Sequence, residues 1–385
     1  MNRRAVIVTG ELSGEMHAVH LVRAIAESLD IEFSGMGSTR LSEAGVELVH
    51  DYRDISLTGV SEVFFKASHI WKAYRALTRH LTEARPDLLI LVDFPGFNLR
   101  LARAAKRLAI PTVYFIPPQV WAWRKGRMKQ IKSCIDLVLC ILPFEEVLYR
   151  ERRVPVKYIG HPFLHTVRPR CTKEAFFSMF GIKADAPVIA MMPGSRQNEA
   201  RKLLPVLMDI VRCLKGRMAG LTVLLPVADT MDEAFFTPFI GELDGVIPVK
   251  GLPYDCLAHS DAAVIASGSA TLEAAILGVP SVVVYKISSL SYLIARMAIR
   301  VSHIGLPNII ADREIFPEFI QFLDAERIAN TVVSMVNNAS KSAIQKELEE
   351  VRRKLAAPDH DPYHVARREI LRFLERRYGP LQETA

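Results

Sequence analysis

The chain has 385 residues, which is long for one ordinary hydrophobic core, so its length predicts two domains. Half of the residues are hydrophobic, and such a core can form without disulfides or metal ions. The net charge of +7 and the isoelectric point near 9.1 suit nucleic acid, phosphorylated substrates or an anionic membrane surface as partners. The basic clusters lack the interleaved aromatic residues of single-strand binders, so we expect no nucleic-acid partner. Solvated helix faces are the alternative explanation of these clusters.

The five cysteines are scattered and contain no Cys-x-x-Cys pair, which indicates reduced cytosolic thiols and argues against a zinc site. Met1–Arg4 leads directly into the apolar run Ala5–Val8, which is too short for the core of a signal peptide. No run of about 18 uncharged apolar residues is present, so we expect no membrane span.

Strands and amphipathic helices alternate along the chain in two series. The first series of predicted strands is Ala5–Thr9, Glu32–Gly35, Leu88–Asp93, Thr112–Ile116, Leu137–Ile141 and Lys157–Ile159. The second series is Val188–Met192, Thr222–Pro226, Gly245–Val249, Ala262–Ala266 and Ser281–Tyr285. Two such series predict an α/β protein with two Rossmann-like parallel-sheet domains, each sheet covered by helices on both faces.

The seam between the series lies near His161–Pro169. We therefore predict a first domain at residues 1–164, a second at 165–357, and a C-terminal helical segment at 358–385 that packs back on the first domain. Ligands of such sheets bind at the carboxyl ends of the strands, so we expect the site in a central cleft that the two domains face.

The segment from Ser267 to Pro280 reads as a small-residue loop, a short helix, a glycine stop and the start of a strand. Small residues let a ligand approach the backbone, and the free N–H groups of a helix start favour an anion. We predict that the loop residues hold a diphosphate and that Glu273, placed in the first helical turn, accepts hydrogen bonds from a ribose. The loop residues are Ser267, Gly268, Ser269 and Thr271. The alternative is a well-capped turn in which Glu273 only complements the helix dipole.

A second strand–loop–helix segment contains Gly194, Ser195, Arg196 and Glu199. Ser195 and Glu199 fit a helix cap, but no cap needs Arg196, whose guanidinium suits a departing diphosphate. Three further polar residues of the second half of the chain lie among apolar residues, and we predict that they also bind substrate: Asn308, Glu318 and Gln321.

Two loops of the first half place carboxylates at strand ends. The loop after Thr9 carries Glu11, Ser13, Gly14 and Glu15, without the glycine spacing of a dinucleotide fingerprint. Asp93 ends a buried strand and is followed by a rigid turn that reaches Asn98. We predict Asp93 as a general base, with Glu11 and Glu15 as alternatives and His17 as a weaker one. Alternatively, Asp93 only ties down its turn through backbone hydrogen bonds.

The loop after Ile116 carries Gln119, Trp121, Trp123 and Arg124. Two tryptophans beside an arginine fit a wall that stacks on a sugar or an acyl chain; interdomain packing is the alternative. His17, His20 and His161 lack further ligands at suitable spacing, so we predict no metal site and no cofactor.

Residues 58–72 fit a helix with one apolar side next to lysines. We predict that Val63, Phe64, Ile70 and Trp71 contact a membrane, as interfacial helices do. The alternative is an ordinary helix that faces the core.

Taken together, these motifs resemble lipid-A-disaccharide synthase, a glycosyltransferase of the GT-B type. The matches run in order from residue 9 to about residue 321, and the Trp-Ala-Trp-Arg loop is the most specific. The motifs that carry the resemblance are Gly10–Glu15, Asp93–Asn98 with Leu101 and Ala102, Pro117–Arg124 with Arg127, Leu142–Glu145, Gly160–Pro162, Pro193–Arg196 with Glu199, Ser267–Glu273, Tyr285–Lys286, Leu306–Asn308, and Glu318 with Gln321. Glu15 stands where the family usually has Asp, and Gly96 where many members have Asp, so no role of that second carboxylate carries over.

The resemblance implies a metal-independent, inverting transfer from UDP-2,3-diacylglucosamine to the 6-hydroxyl of 2,3-diacylglucosamine 1-phosphate. It also implies a GT-B fold and a cytoplasmic protein on the inner face of the inner membrane, in contact with its anionic surface. A homodimer is left open. The alternatives are another GT-B enzyme, such as a peptidoglycan glucosaminyltransferase or a UDP-sugar epimerase, and a non-catalytic module that binds nucleotides or membranes.

Overall fold

The structure is a computed structural model. The residues that it describes are 3–53, 62–121, 126–228, 231–241, 243–286, 302–357 and 361–381, with the backbone alone at 62–67. The predicted site residues Trp123 and Arg124 lie outside the described residues, as do the side chains of Val63 and Phe64.

The chain divides into two compact units, Met1–Pro162 with Leu355–Ala385, and Phe163–Lys354. The predicted boundary at 164/165 falls two residues after this division. Unit 1 holds a seven-stranded sheet in the order β3-β2-β1-β4-β5-β6-β7, and unit 2 a six-stranded sheet in the order β10-β9-β8-β11-β12-β13. Every strand pair is parallel, which confirms the predicted class of two Rossmann-like domains.

The strands of unit 1 are β1 (Arg3–Val8), β2 (Ile31–Gly37), β3 (Val46–Asp51), β4 (Leu88–Val92), β5 (Thr112–Phe115), β6 (Leu137–Cys140) and β7 (Val156–Tyr158). Those of unit 2 are β8 (Val188–Met192), β9 (Thr222–Val227), β10 (Val246–Lys250), β11 (Ala262–Ala266), β12 (Ser281–Tyr285) and β13 (Glu318–Ile320). The eleven predicted strands are confirmed. β3 and β13 were not predicted, because neither is an apolar run.

The described helices of unit 1 are α1 (Leu12–Ala26), α2 (Thr39–Glu43), α3 (Glu62–Ala84), α4 (Pro95–Arg107), α5 (Gly126–Cys134), α6 (Pro143–Glu151) and the C-terminal α16 (Pro362–Tyr378). Those of unit 2 are α7 (Phe163–Thr166), α8 (Lys173–Phe180), α9 (Gln197–Lys215), α10 (Thr237–Ile240), α11 (Pro253–Ala258), α12 (Ser269–Ile276), α13 (Leu306–Ala311), α14 (Ala325–Val336) and α15 (Asn338–Leu355), with a 3₁₀ turn at Glu233–Phe235.

The central strands are buried on both faces, as parallel sheets require. In β4, Leu88, Ile90 and Val92 pack on the face covered by α1 and α16, while Leu89 and Leu91 pack on the face covered by α3 and α4. Unit 2 repeats this arrangement, with α9 and α14 on one face of the sheet and α8 on the other. Both cores therefore hold the carboxyl ends of their strands in fixed positions.

The C-terminal helix α16 packs against α1 through Tyr363. His17 Nδ1 lies 2.9 Å from the Tyr363 hydroxyl, and the His20 ring stacks on the Tyr363 ring with centroids 4.8 Å apart. The weaker prediction of His17 as a base is therefore wrong in geometry, because its ring is committed to α16. Burial lowers the pKa of His17 to about 4 and that of neighbouring His161 to about 3.

These two histidines predict a pH-dependent stability of unit 1. Their folded pKa values lie below the unfolded value of about 6.5, so the unfolded chain binds more protons than the folded chain as the pH falls below that value. We expect the free energy of unfolding to fall by up to about 1.4 kcal/mol per pH unit for each histidine between pH 6.5 and 4. Urea titrations at pH 7, 6 and 5 measure this slope. His17→Gln should flatten it, whereas the exposed control His364→Gln should not; equal slopes in all three proteins would contradict the assignment.

Candidate active site

Asp93 lies at the carboxyl end of β4 in a backbone conformation that side chains rarely adopt. Its φ is 45°, and that of Phe94 is 44°, so two consecutive non-glycine residues are left-handed. The Tyr114 hydroxyl donates to the Asp93 carbonyl at 2.8 Å, and Asn98 Nδ2 donates to it at 2.7 Å. Strain of this kind persists where the surroundings enforce it and concentrates at functional sites.

Asn98 was predicted to contact substrate, and this prediction needs correction. Its side chain is fully buried, and its amide donates to the carbonyls of Val92 and Asp93. It therefore lies beneath the turn and holds the peptide of Asp93 in place.

The glycine-hinged loop after β1 packs directly against the Asp93 turn. A Cβ on Gly10 would lie 2.3 Å from the Phe94 ring, and one on Gly14 would lie 3.6 Å from Asp93 Cβ. Burial and the nearby negative charge of Glu11 raise the pKa of Asp93 to about 6. Asp93, exposed Glu11 and Gly14 thus lie close together, and Ser13 is exposed on the same loop.

Glu15 occupies a different position from the one expected of a base. Its carboxylate is fully buried and accepts hydrogen bonds from the Ser38 backbone N–H (2.5 Å), the Ser38 hydroxyl (2.7 Å) and the Tyr52 hydroxyl (2.9 Å). Both oxygens are therefore engaged with the ends of β2 and β3. Glu15 fastens the first turn of α1 to the sheet and does not face an acceptor, so the prediction of Glu15 as a base is wrong in geometry.

The tryptophan loop is anchored by a carboxylate that sequence reasoning passed over. Trp121 Nε1 donates to Glu145 Oε1 at 3.1 Å, and the Trp121 ring meets Phe144 edge-on. Glu145 is fully buried, which raises its pKa to about 8. Its Oε2 also accepts the backbone N–H of Leu142, so the signal was the capping pattern of Leu142–Glu145. Gln119, in the same loop, is exposed.

The helix predicted to touch a membrane divides its apolar residues between two sides. Ile70 is partly buried and packs with Ala73, Leu77 and Leu81 on the core-facing side of α3, so only part of its side chain is left for a membrane contact. Trp71 is exposed and lies under the guanidinium of Arg75 at 5.2 Å. Among the described residues, no helix combines the length and the apolar character needed to span a bilayer.

In unit 2, the loop after β8 lies beside the end of β11. A Cβ on Gly194, whose φ is 98°, would lie 3.6 Å from Ala266 Cβ and 3.5 Å from Glu199 Oε2. Arg196 stands at the cap position of α9 and forms an ion pair with Glu199 at 3.0 Å. Both side chains keep access to solvent, and Ser195 is exposed, so the guanidinium can meet an anion from solvent.

The small-residue loop after β11 is fixed by hydrogen bonds at its base. The Ser267 backbone N–H donates to the carbonyl of Val284, and its hydroxyl donates to the carbonyl of Ile304 at 3.3 Å. The Thr271 hydroxyl donates to Gly268 and accepts from the Leu306 backbone. Gly268 and Ser269 are exposed at the start of α12, which leaves the backbone of that helix start accessible to a ligand.

Glu273 lies one residue beyond the first turn of α12, because the helix begins at Ser269. The sequence predicted Glu273 in the first helical turn, so its position is corrected by one residue. Burial raises the pKa of its carboxyl to about 7, and a hydrogen bond from Ser269 partly opposes this shift. Burial, and with it the nearby charge of Glu273, raises the pKa of Tyr254, a residue that the sequence did not point to.

Asn308 and Glu318 were predicted to bind substrate, and the structure assigns their side chains elsewhere. Glu318 accepts the backbone N–H groups of Ile304 and Gly305 and the side-chain amide of Asn308. Asn308 is fully buried and also bonds Ile315 and Phe316. Both residues therefore shape the loop that supports Ser267.

Gln321 follows β13 with a φ of 67°, and its backbone N–H donates to Tyr285 at 2.7 Å. Tyr285 lies near both Arg196 and Glu199, whose charges shift its pKa in opposite directions. Across the described ranges, no group of three or more His, Cys, Asp or Glu side chains has the arrangement of a metal site.

The carboxyl edges of the two sheets therefore offer different chemistry. In unit 1 a partly buried carboxylate with a raised pKa stands beside a small-residue loop. In unit 2, one loop offers an accessible helix start followed by Glu273, and another offers the guanidinium of Arg196 paired with Glu199. The first set suits proton abstraction from a hydroxyl, and the second suits an anionic leaving group.

Comparison with known proteins gives the family. A family model described as lipid-A-disaccharide synthetase matches residues 5–366. A lipid-A-disaccharide synthase of Syntrophus aciditrophicus (strain SB) is 44% identical over 364 residues, which are 93% of this chain and 95% of that protein.

Two solved structures share the fold at low identity. The calicheamicin glycosyltransferase CalG4 matches with a TM-score of 0.64 at 16% identity, over 98% of this chain and all of that chain. The UDP-GlcNAc 2-epimerase of Neisseria meningitidis, bound to UDP-GlcNAc, matches with a TM-score of 0.60 at 13% identity, over 98% and 100% of the two chains. These likenesses confirm the GT-B fold and no more.

The resemblance found in the sequence motifs is thus confirmed over nearly the whole chain, whereas the epimerase shares the fold alone. The chain belongs to the lipid-A-disaccharide synthase family and is a glycosyltransferase of lipid A biosynthesis.

Proposed function

We propose that the protein transfers 2,3-diacylglucosamine from its UDP derivative to the 6-hydroxyl of 2,3-diacylglucosamine 1-phosphate. The bond between sugar C1 and the diphosphate oxygen breaks, and its electron pair leaves with UDP. The acceptor oxygen forms the new bond to C1 from the opposite face, which inverts that carbon and gives a β-1,6 linkage. The family match over residues 5–366 carries this proposal.

Unit 2 binds the donor in this proposal. The helix start at Ser269 and the guanidinium of Arg196 hold the diphosphate, on which negative charge grows as the bond breaks. Glu273 accepts hydrogen bonds from the ribose hydroxyls. The ion pair between Arg196 and Glu199 keeps the guanidinium at the edge until the diphosphate replaces the carboxylate.

Unit 1 binds the acceptor and supplies the base. Asp93 takes the proton of the 6-hydroxyl, and its pKa of about 6 leaves it ionised yet basic at neutral pH. The left-handed turn and the hydrogen bonds from Tyr114 and Asn98 fix the direction of its side chain. Trp121, held by Glu145, forms one wall of this acceptor edge.

Both substrates carry acyl chains and reside in a membrane, so we further propose that the enzyme works at the cytoplasmic face of the inner membrane. The basic net charge favours an anionic surface, and Trp71 is an exposed aromatic residue of the kind that enters the interface.

Donor binding should depend on Glu273 and on pH. A hydrogen bond to a charged group contributes roughly 1.5–3 kcal/mol, so Glu273→Ala should weaken UDP binding about tenfold or more. In the native protein, affinity should fall as the pH drops through about 7, because protonation removes acceptor capacity from this carboxyl. Calorimetry at pH 8 and pH 6 measures both effects. The pH dependence should vanish in Glu273→Gln, and unchanged affinity in Glu273→Ala would remove the ribose assignment.

The general base gives a second prediction. Asp93→Asn should fold and bind UDP normally, while turnover falls by about 10²–10⁴. In the native enzyme, the acid limb of the rate profile should lie near pH 6. Glu11→Gln should move that limb to lower pH, because loss of a neighbouring negative charge lowers the pKa of Asp93. Near-normal turnover of Asp93→Asn, or an acid limb unmoved by Glu11→Gln, would place the base elsewhere.

A further inference from the structure

Three of the large apolar side chains exposed on the described part of the chain lie at the carboxyl edges of the two sheets. Leu12 is 50% exposed, Met16 is 47% exposed, and Phe322 is 84% exposed. Single exposed apolar residues are common on protein surfaces, so exposure alone decides nothing. Their positions beside the proposed reacting groups distinguish these three.

Leu12 and Met16 stand one helical turn apart on α1 and therefore share one side of the helix. The helix begins directly after Glu11, whose charge acts on Asp93, and Gly14 between them packs against Asp93. The neighbouring residues Glu15 and His17 point into the protein, where Ser38, Tyr52 and Tyr363 hold them. Leu12 and Met16 thus form an exposed apolar strip on the helix that begins next to the proposed base, Asp93.

Phe322 has the equivalent position in unit 2. It follows Gln321, whose left-handed backbone bonds Tyr285 at the end of β12. Tyr285 lies near Arg196 and Glu199, which the proposed function assigns to the donor diphosphate. Phe322 therefore extends from the edge at which the donor would bind.

We propose that these side chains recognise the acyl chains of the two substrates, Leu12 and Met16 those of the acceptor and Phe322 those of the donor. This inference rests on the proposed function. In the donor, the acyl chains leave the sugar ring at carbon 2, which adjoins the reacting carbon 1, and at carbon 3. In the acceptor, they leave the same two carbons, on the side of the ring opposite carbon 5 and its reacting 6-hydroxyl, so one sugar ring separates them from the reacting oxygen. They must therefore cross the surface that adjoins the reacting groups, where burial against apolar side chains removes both from water.

Steady-state kinetics with four substrates tests this assignment. The long-chain diacyl and the diacetyl forms of donor and acceptor are compared at saturating partner, in the same detergent, for three variants. They are the double variant Leu12→Ser with Met16→Ser, the single variant Phe322→Ser, and the control Met179→Ser. Met179 is 60% exposed on α8, which leads to the amino end of β8, away from the carboxyl edge.

The double variant should raise the KM for the long-chain acceptor about tenfold and leave the KM for the long-chain donor within twofold. Phe322→Ser should raise the KM for the long-chain donor about tenfold and leave the KM for the long-chain acceptor within twofold. The KM for the diacetyl donor and the KM for the diacetyl acceptor should change no more than twofold in either variant. Met179→Ser should match the native enzyme. Because all four side chains are exposed, the thermal unfolding midpoints should coincide, which the same preparations verify.

Two outcomes would overturn the inference. Unchanged KM values for the long-chain substrates would show that the chains pass elsewhere. If either variant raised the KM for both long-chain substrates equally, the side chains would make general contact with a lipid surface and would not recognise one substrate. Failure of the proposed function is distinguishable from both, because the native enzyme would then form no disaccharide from any substrate pair.

Discussion

Parallel pairing of every strand is the constraint on which the functional geometry depends. Parallel strands end together at one edge of a sheet, so loops that are distant in sequence meet there. In unit 1 this brings the loop after β1 against the turn after β4, close enough that Gly10 has no room for a Cβ. In unit 2 it brings the loop after β8 against the end of β11. Burial on both faces holds these edges rigid.

Carboxylates that accept several hydrogen bonds hold the loops at the carboxyl edges of the sheets. Glu15 binds the ends of β2 and β3, Glu145 holds the tryptophan loop, and Glu318 gathers two backbone N–H groups and Asn308. Each accepts hydrogen bonds from at least two donors, and these bonds offset part of the cost of taking a carboxyl group out of water. Asp93 and Glu273, which the proposed function assigns to the base and to the ribose, make fewer such bonds, and burial raises the pKa of each, as it also does for Glu145.

The sequence was sufficient for the alternation of strands and helices, since apolar runs such as Leu88–Val92 admit one interpretation. It also led to the prediction of a site at Asp93, Gly14, Arg196 and Glu273, because small residues and charges at strand ends have a direct chemical meaning. It could not separate Glu15 from Asp93, because which carboxylate turns inward depends on Ser38 and Tyr52, which arrive from other strands.

The left-handed conformation of Phe94 had no signal either, since only glycine, asparagine and aspartate adopt it with any frequency. Ile70 and Trp71 show the same limit. The sequence indicates that one side of the helix is apolar, but the sheet beneath the helix decides how much of that side is buried.

The most direct test of the account is the structure of the product. Purified protein would be incubated with the UDP-diacylglucosamine donor and the diacylglucosamine 1-phosphate acceptor, and the product examined by mass spectrometry and by the NMR coupling of its anomeric proton. We predict one equivalent of UDP and a disaccharide 1-phosphate with a β-1,6 linkage. An α linkage, or a donor sugar changed only at carbon 2, would contradict the account.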